Sequence, residues 1–200
     1  NEQDPLIDYL YENGILFVQI GKASQYPGET ICIDNDNILA AREAVNYLYA
    51  LGHRKIGYVG TDLKRIFSAD RKAGYMLALA ENNVPFKESY YLEMPQVPKE
   101  ENDALLHFLS GNDRPTAVLV SDDILAMVLE KTAFKLHLHI PEDLSIISFN
   151  NSLFSKLSSP QLTSIDINSR QLGIEAASQM INHIENPGLL ATKIIVPHFM

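Results

Sequence analysis

The sequence of 200 residues lacks the features from which disulfide-linked and membrane-spanning proteins are recognised. It has no tryptophan and one cysteine, so no disulfide can form within the chain. Cys32 lies in an apolar run, which predicts a small buried side chain rather than a reactive thiol. No window reaches the ~18 consecutive apolar residues of a membrane-spanning helix, and no signal peptide is recognisable.

The familiar motifs of catalysis and cofactor binding are also missing. The chain has no G-x-S-x-G elbow, no Walker loop and no G-x-G-x-x-G turn. His137 and His139 form an H-x-H pair in a predicted helix-to-strand connection, where we do not expect a metal site. Asp122 and Asp123 are adjacent, so on a helix their carboxylates diverge and cannot work as an acid and base pair. We therefore expect no enzyme activity, no cofactor and no metal site.

Positive charge is scarce. The chain has 16 Lys and Arg residues and 25 Asp and Glu residues, and its formal net charge is −9. Because Lys and Arg carry most of the affinity for phosphates, a nucleic-acid surface is not expected within these residues.

Strand and helix patterns alternate along the chain, which predicts parallel sheets with helices on both faces. The continuous apolar run Ile15–Ile20 is typical of a strand that is buried on both faces. A loop is predicted at Pro95–Pro98. The other predicted strands cover residues 30–33, 55–59, 90–93, 117–120, 144–149, 162–167 and 193–196. The main helices are predicted at about 35–51, 69–81, 124–136 and 169–186, and a further helix carries Leu105, Phe108 and Leu109.

In open parallel sheets, ligands bind outside the carboxyl ends of the strands. Polar side chains follow four predicted strands there, and Arg71 lies at the start of the helix after the third. Arginine guanidinium donors, carboxylates, amides and an aromatic ring form the set of groups that recognises hydroxyls. The polar residues at these ends are Gln19, Asp34, Asn35, Thr61, Asp62, Ser121, Asp122, Asp123, Asn150 and Asn151, with Arg65 and Phe67 in the loop before Arg71.

Simpler roles are open for the most prominent of these residues. Asp122 and Asp123 are suited to cap the next helix, and Asn150–Asn151 is suited to a turn because Asn tolerates left-handed backbone. Arg71 could instead form a surface ion pair with Asp70 or Glu81.

Several blocks resemble the lactose/galactose-repressor family of bacterial transcription regulators. They occur in order, from Ile33 to the carboxyl end, with the family's usual spacing. Residues 152–155 and 194–200 are most similar to the maltose-operon repressors. The family blocks are IDNDN at 33–37, LGHRKIGYVG at 51–60, RKAGY at 71–75, RPTAVLVSDD at 114–123, IPEDLSIISFNN at 140–151 and PQLTSI at 160–165.

The resemblance implies a periplasmic-binding-protein-like fold of two α/β lobes that hold an effector in the cleft between them. Residues 1–33 and 167–189 would form the first lobe, which is incomplete, and residues 34–166 and 190–200 the second. Crossovers between the lobes are expected at Asp34, at 166–168 and between Pro187 and Lys193. The basic helix-turn-helix domain with which family members begin is absent from this sequence.

The resemblance also assigns the binding residues by motif. Arg71, Asp122 and Asn150 match effector contacts, and Arg65 and Phe67 match positions that face the cleft in some members. Asn150 stands where the family has Asp, and Gln19 stands where many members have Asp. These neutral substitutions favour an uncharged sugar over a cationic base.

The implied function is a cytoplasmic, ligand-gated regulator, most simply a repressor of sugar utilisation, with no membrane partner. It would act as a homodimer and bind operator DNA through its missing amino-terminal domain. The dimer face would include Leu125, Leu153 and Phe154, although core filling is an equally simple role for the last two. A sugar-binding protein of a transport system, which shares the fold, is the alternative.

Overall fold

Two parallel sheets organise the computed structural model, which describes residues 4–94 and 103–200. The predicted loop at Pro95–Pro98 lies outside the described residues. The strands are β1 (Val18–Ile20), β2 (Ile31–Asp34), β3 (Ile56–Gly60), β4 (Tyr91–Glu93), β5 (Ala117–Val120), β6 (Ser145–Phe149), β7 (Thr163–Ile165) and β8 (Lys193–Ile195). The α-helices are α1 (Pro5–Glu12), α2 (Asn37–Ala50), α3 (Ile66–Glu81), α4 (Asp103–Leu109), α5 (Asp123–Lys135), α6 (Leu153–Leu157) and α7 (Ser169–Glu185), and a 3-10 turn covers Glu88–Tyr90.

The larger sheet has the strand order β4-β3-β5-β6-β7, and every pair in it is parallel. One apolar layer packs α2 and α3 against one face, around Tyr58, Tyr75 and Phe149. A second layer packs α4 and α5 against the other face, around Leu105 and Leu129. The alternation of strand and helix therefore gives the predicted α/β architecture.

The smaller sheet has the order β1-β2-β8, with α7 packed on it. Two predictions fail here. β8 pairs with β2 in this sheet, so residues 193–195 do not belong to the second lobe. The run Ile15–Ile20 is not buried on both faces, because only Val18–Ile20 forms a strand, at the sheet edge, and Ile15 and Leu16 are exposed.

Three connections link the two sheets, and they lie side by side. The first two, Asp34–Asp36 and Asp166–Asn168, are where the sequence predicted them. The third is not between Pro187 and Lys193. It follows β8 at Val196–Phe199, where the backbones of Phe199 and Asp166 exchange hydrogen bonds of 2.8 and 2.9 Å.

The side chain of Asn35 binds these connections to one another. Its amide nitrogen donates to the carbonyl oxygen of Ile167 at 3.0 Å and to that of Val196 at 2.8 Å. Asn35 is buried, so neither carbonyl can exchange this donor for bulk water. One amide group thus joins all three connections.

Leu125, which the sequence placed on a dimer face, is a core residue. It is only 1% exposed and packs among the apolar residues beneath α5, so it cannot contact a partner. Leu153 and Phe154 are instead exposed, and core filling is not their role. Among the described residues, no helix combines the length and the apolar character needed to cross a membrane.

Candidate functional site

A cleft of about 450 Å³ lies between the two sheets, at the carboxyl ends of their strands. A second cavity, of about 310 Å³, adjoins it and shares several of its walls. Five of the predicted ligand-binding residues line the larger cavity and Gln19 lines the smaller one, so all six lie along one continuous cleft. The five are Arg65, Phe67, Arg71, Asp122 and Asn150, and the residues common to both cavities are Ile20, Gly21, Asp34, Arg65 and Phe67.

Arg71 is held rigidly in the floor of this cleft. Its Nε donates to Oδ1 of Asn37 at 2.8 Å, and its Nη1 donates to the carbonyl oxygen of Ser121 at 2.5 Å. The guanidinium carbon lies 3.9 Å from the ring centre of Phe149 and 5.0 Å from that of Phe67. These two hydrogen bonds use two of the five N–H donors of an arginine, and the remaining three are available to a ligand.

Helix packing places Arg71 there. Gly74 lies one turn further along α3, where a Cβ would come within 2.2 Å of the carbonyl oxygen of Ile38 on α2. Only glycine permits this approach, which brings the start of α3 against the start of α2 and sets Arg71 beside Asn37. The spacing of R-x-x-G in the sequence therefore has a packing reason.

The ion-pair alternative for Arg71 is wrong. Asp70 binds Lys22, Glu81 binds Arg42, and Arg71 is only 5% exposed. Burial lowers the pKa of Arg71 to about 10, and the charges of Asp122, Asp34 and Asp123 oppose this effect. The guanidinium thus stays charged at neutral pH in a partly desolvated place, where its hydrogen bonds to a ligand are strengthened.

The simpler roles of Asp122 and Asn150 are both present. Oδ1 of Asp122 accepts from the backbone N–H of Leu125 at 2.8 Å, which makes Asp122 the N-cap of α5. Asn150 has φ +98° and donates its backbone N–H to Ile165 at 2.8 Å, so it forms a strand-to-helix turn. Both residues also line the cleft, and these backbone roles fix their position there.

Asp123 builds the wall behind Asn150. It is fully buried, and its carboxylate accepts from the hydroxyls of Ser148 and Ser164 and from the backbone N–H of Ser152. These bonds join α5, β6, β7 and the segment that carries Asn150. The sequence placed Asp123 among the polar residues at the strand ends and as a possible cap, but nothing local indicates its distant partners.

Asn37 and Phe154 are cleft residues that the sequence did not single out for this site. Asn37 follows the IDN motif at a position that suggested only the start of α2. Phe154 was expected only at a dimer face. Its helix, α6, was not predicted. The serine before it, Ser152, is an N-cap signal that could have revealed this helix.

The rim of the cleft carries Gln19 and Arg65. Gln19 donates from Nε2 to the carbonyl oxygen of Lys22 at 3.1 Å, which orders the segment after β1. Arg65 begins α3, and its guanidinium carbon lies 6.0 Å from the ring centre of Phe67. Asp34, between the two cavities, has its pKa raised, mainly by burial.

Within 4–94 and 103–200, no group of three or more His, Cys, Asp or Glu side chains is arranged to hold a metal ion. His139 binds Asp143 through Nδ1 at 3.0 Å, in place of the H-x-H pairing considered from the sequence. The cleft instead combines cationic and amide donors, carboxylate and amide acceptors, and the ring of Phe67. This set can bind the hydroxyls of a small polar molecule and cover its apolar face.

Comparisons with known proteins agree with this architecture. Residues 45–198 match the family model described as a periplasmic binding protein-like domain. A crystal structure described as a LacI transcriptional regulator from Bacillus cereus subsp. cytotoxis superposes with a TM-score of 0.90 and 35% sequence identity, over 98% of this chain and 70% of that one.

Curated relatives are transcription regulators. The regulator MalR of Staphylococcus xylosus is 30% identical over 196 residues, which is 98% of this chain and 57% of the relative. The repressor PurR of Photorhabdus laumondii is 34% identical over 143 residues, which is 72% of this chain and 42% of the relative. The chain thus spans about half the length of these relatives.

Proposed function

The chain belongs to the lactose/galactose-repressor family, as its periplasmic-binding-protein-like domain, and we propose that its cleft binds a neutral sugar of the maltose type as effector. Arg71 carries this proposal. Its three remaining N–H donors reach a cleft whose other polar walls include the neutral side chains of Asn150 and Gln19. Such a site suits the hydroxyls of an uncharged sugar.

The size and layout of the cleft favour more than one sugar ring. The larger cavity is lined by Arg71 and Asn150, and the smaller one by Gln19 and Lys22. One ring would lie against Phe67 and Arg71, and a second would extend toward Gln19. The similarity to a regulator named MalR over nearly the whole chain supports the same choice.

The parent protein would act as a homodimer. α5 and α6 pack together and expose a row of large apolar side chains, which is typical of an interface. Leu153 remains in the proposed interface, whereas Phe154 and Ile124 line the ligand cleft. The exposed apolar residues of α5 and α6 outside the cleft are Met127, Phe134, Leu153 and Leu157.

The mechanism follows from two lobes and one ligand. A sugar that contacts both walls of the cleft favours the closed arrangement by the difference between its affinities for the closed and open states. In a dimer, the change in lobe angle alters the spacing of two DNA-binding domains that precede this region. We propose that this controls operator binding by the parent repressor.

Titration calorimetry with maltose tests the site. We expect the unsubstituted protein to bind maltose saturably. Arg71→Ala should bind it at least tenfold more weakly, because a buried charge-assisted contact is lost. Asn150→Gly, which accepts the positive φ of this position, should also weaken binding and covers the case in which Arg71→Ala does not fold. Arg42→Ala, which removes an exposed arginine from α2, is the matched control.

Equal maltose affinity in the unsubstituted protein, Arg71→Ala and Asn150→Gly would disprove the assignment of the site. Absence of binding by maltose and by related neutral glucosides would disprove the ligand class. The transport alternative is tested by operator binding, since a DNA complex of the full-length protein that responds to sugar excludes it.

A further inference from the structure

An ion pair joins the two lobes at the mouth of the cleft. Nζ of Lys22 lies 3.1 Å from Oδ1 and 3.2 Å from Oδ2 of Asp70. Lys22 follows β1 of the smaller sheet, and Asp70 lies on α3, which packs on the larger sheet. Neither residue belongs to the three connections between the sheets, so the contact is a separate link between the lobes.

The pair is built into the cleft rather than placed on an outer surface. Lys22 lines the smaller cavity of the cleft together with Gln19, Asp34 and Arg65. The side chain of Asp70 is only 18% exposed, while that of Lys22 is 45% exposed. The carboxylate is thus fixed near Arg71, and the lysine reaches it from the opposite lobe.

A third charge makes the contact matter for lobe movement. Asp34 lies close enough to both partners for its pKa to respond: burial is the main cause of its rise, Asp70 adds to the rise, and Lys22 opposes it. Asp34 ends β2 and Lys22 follows β1, so both belong to the smaller sheet, and Asp70 approaches them from the larger lobe. Without Lys22, the repulsion between Asp34 and Asp70 would favour an open cleft.

We propose that Lys22 and Asp70 form an interlobe latch that favours the closed cleft before any effector binds. Rotation of the lobes about the connections at 34–36, 166–168 and 196–199 separates β1 from α3 and must break this pair. The latch rests on the proposed function for its biological meaning, because closure is the state that an effector would select. It lowers the work that the effector must do to close the lobes.

The size of the effect follows from the exposure of the pair. Partly exposed ion pairs shift an equilibrium by about two- to fivefold. Salt weakens them because their charges are screened. The latch therefore biases the lobes without locking them, and effector binding can still dominate.

Spin-label distance measurements in the full-length protein, without any effector, test the latch. Labels at Ser178→Cys on α7 and His107→Cys on α4 report on the two lobes, and Cys32 is buried and escapes labelling. Dilution with unlabelled protein removes distances between subunits. We expect Lys22→Met and Asp70→Asn each to raise the open-to-closed ratio about two- to fivefold, and the double variant to raise it no further.

Arg42→Met is the matched control, because Arg42 and Glu81 form an ion pair of similar exposure within one lobe. It should leave the distance distribution unchanged, and Lys22→Arg should restore the parent distribution. About 1 M salt should open the parent but not the double variant. Unchanged distances in both single variants, or equal opening in Arg42→Met, would overturn the latch. Since no effector is present, failure of the latch is distinct from failure of the proposed sugar site.

Discussion

Asn37 holds Arg71 from behind: its Oδ1 accepts a 2.8 Å hydrogen bond from Nε, the nitrogen of the guanidinium nearest to the backbone. Both side chains are buried, and they come from two helices that start at the same edge of the larger sheet. The bond fixes the plane of the guanidinium and leaves its outer nitrogens toward the cleft. Asn37 thus orients the proposed anchor and is a positioning residue.

Asn37→Leu should loosen this anchor while Arg71 itself stays in place. Leaving the buried Nε without an acceptor costs about 1–3 kcal/mol of unfolding free energy, and maltose affinity should fall about tenfold. Asn37→Asp keeps an acceptor at the same place and should retain most of the unfolding free energy and most of the maltose affinity. Urea unfolding and calorimetry measure the two effects. Equal maltose affinities in the Leu and Asp variants would contradict a positioning role.

Gly74→Ala should destabilise the larger lobe. The added methyl group would meet the backbone oxygen of Ile38 at 2.2 Å, and a backbone atom cannot rotate away. We expect a loss of about 1–3 kcal/mol in urea unfolding. Gly173→Ala in α7 is the control: no atom lies within 4 Å of its added Cβ, so about 0.4–1 kcal/mol of stabilisation is expected there. Similar behaviour of the two variants would refute the packing account.

Asn35→Ala should weaken the junction of the three connections. It leaves the carbonyl oxygens of Ile167 and Val196 without their donor, at a loss of about 1–3 kcal/mol. Asn35→Asp should lose more stability than Asn35→Ala, because it turns an acceptor-only carboxylate toward two carbonyl oxygens. Hydrogen exchange should rise at 34–36 and at 166–168 in both variants. Asn82→Ala, at the carboxyl-terminal cap of α3 and away from the junction, should leave those exchange rates unchanged.

Acid should destabilise the protein through His53. Its ring nitrogens lie 3.0 Å from Oγ1 of Thr116 and 3.1 Å from Oγ of Ser145, and burial lowers its pKa below the ordinary 6.5. The unfolded chain therefore binds the proton more readily, and the stability present above pH 6.5 is lost as the pH falls below it. Urea midpoints between about pH 7 and pH 5 should fall less in His53→Gln than in the parent or in the exposed control His107→Gln.

Leu153→Asp should dissociate the proposed dimer. Leu153 is 67% exposed on α6, so a charge there costs the monomer little but would be buried against a partner. Sedimentation of the full-length protein should shift from dimer to monomer. Leu77→Asp changes an exposed leucine on α3, far from this face in the fold, and should remain dimeric. If Leu153→Asp remains dimeric, the proposed interface is wrong.

Local signals predicted the helices well where a cap or a stop residue marks the end. The pair Asn13–Gly14 predicts the end of the first helix, and α1 ends at Glu12. The spacing of Leu105, Phe108 and Leu109 predicts one buried helical face, and all three are buried in α4. For α3, the apolar spacing in the sequence predicts that Ala73 and Leu77 are buried, and this prediction is wrong. Gly74 and Tyr75 face the core instead, because α2 approaches so closely.

The sequence by itself determined the alternation of strands and helices, the family blocks and the set of side chains at the strand ends. These follow from periodicity, capping and spacing, all of which act within a few neighbouring residues. Only the tertiary structure decided that β8 joins the smaller sheet, that Leu125 is buried and that Asn35 links three connections. Those features depend on which distant segments meet, and backbone pairing between segments more than a hundred residues apart leaves no local trace.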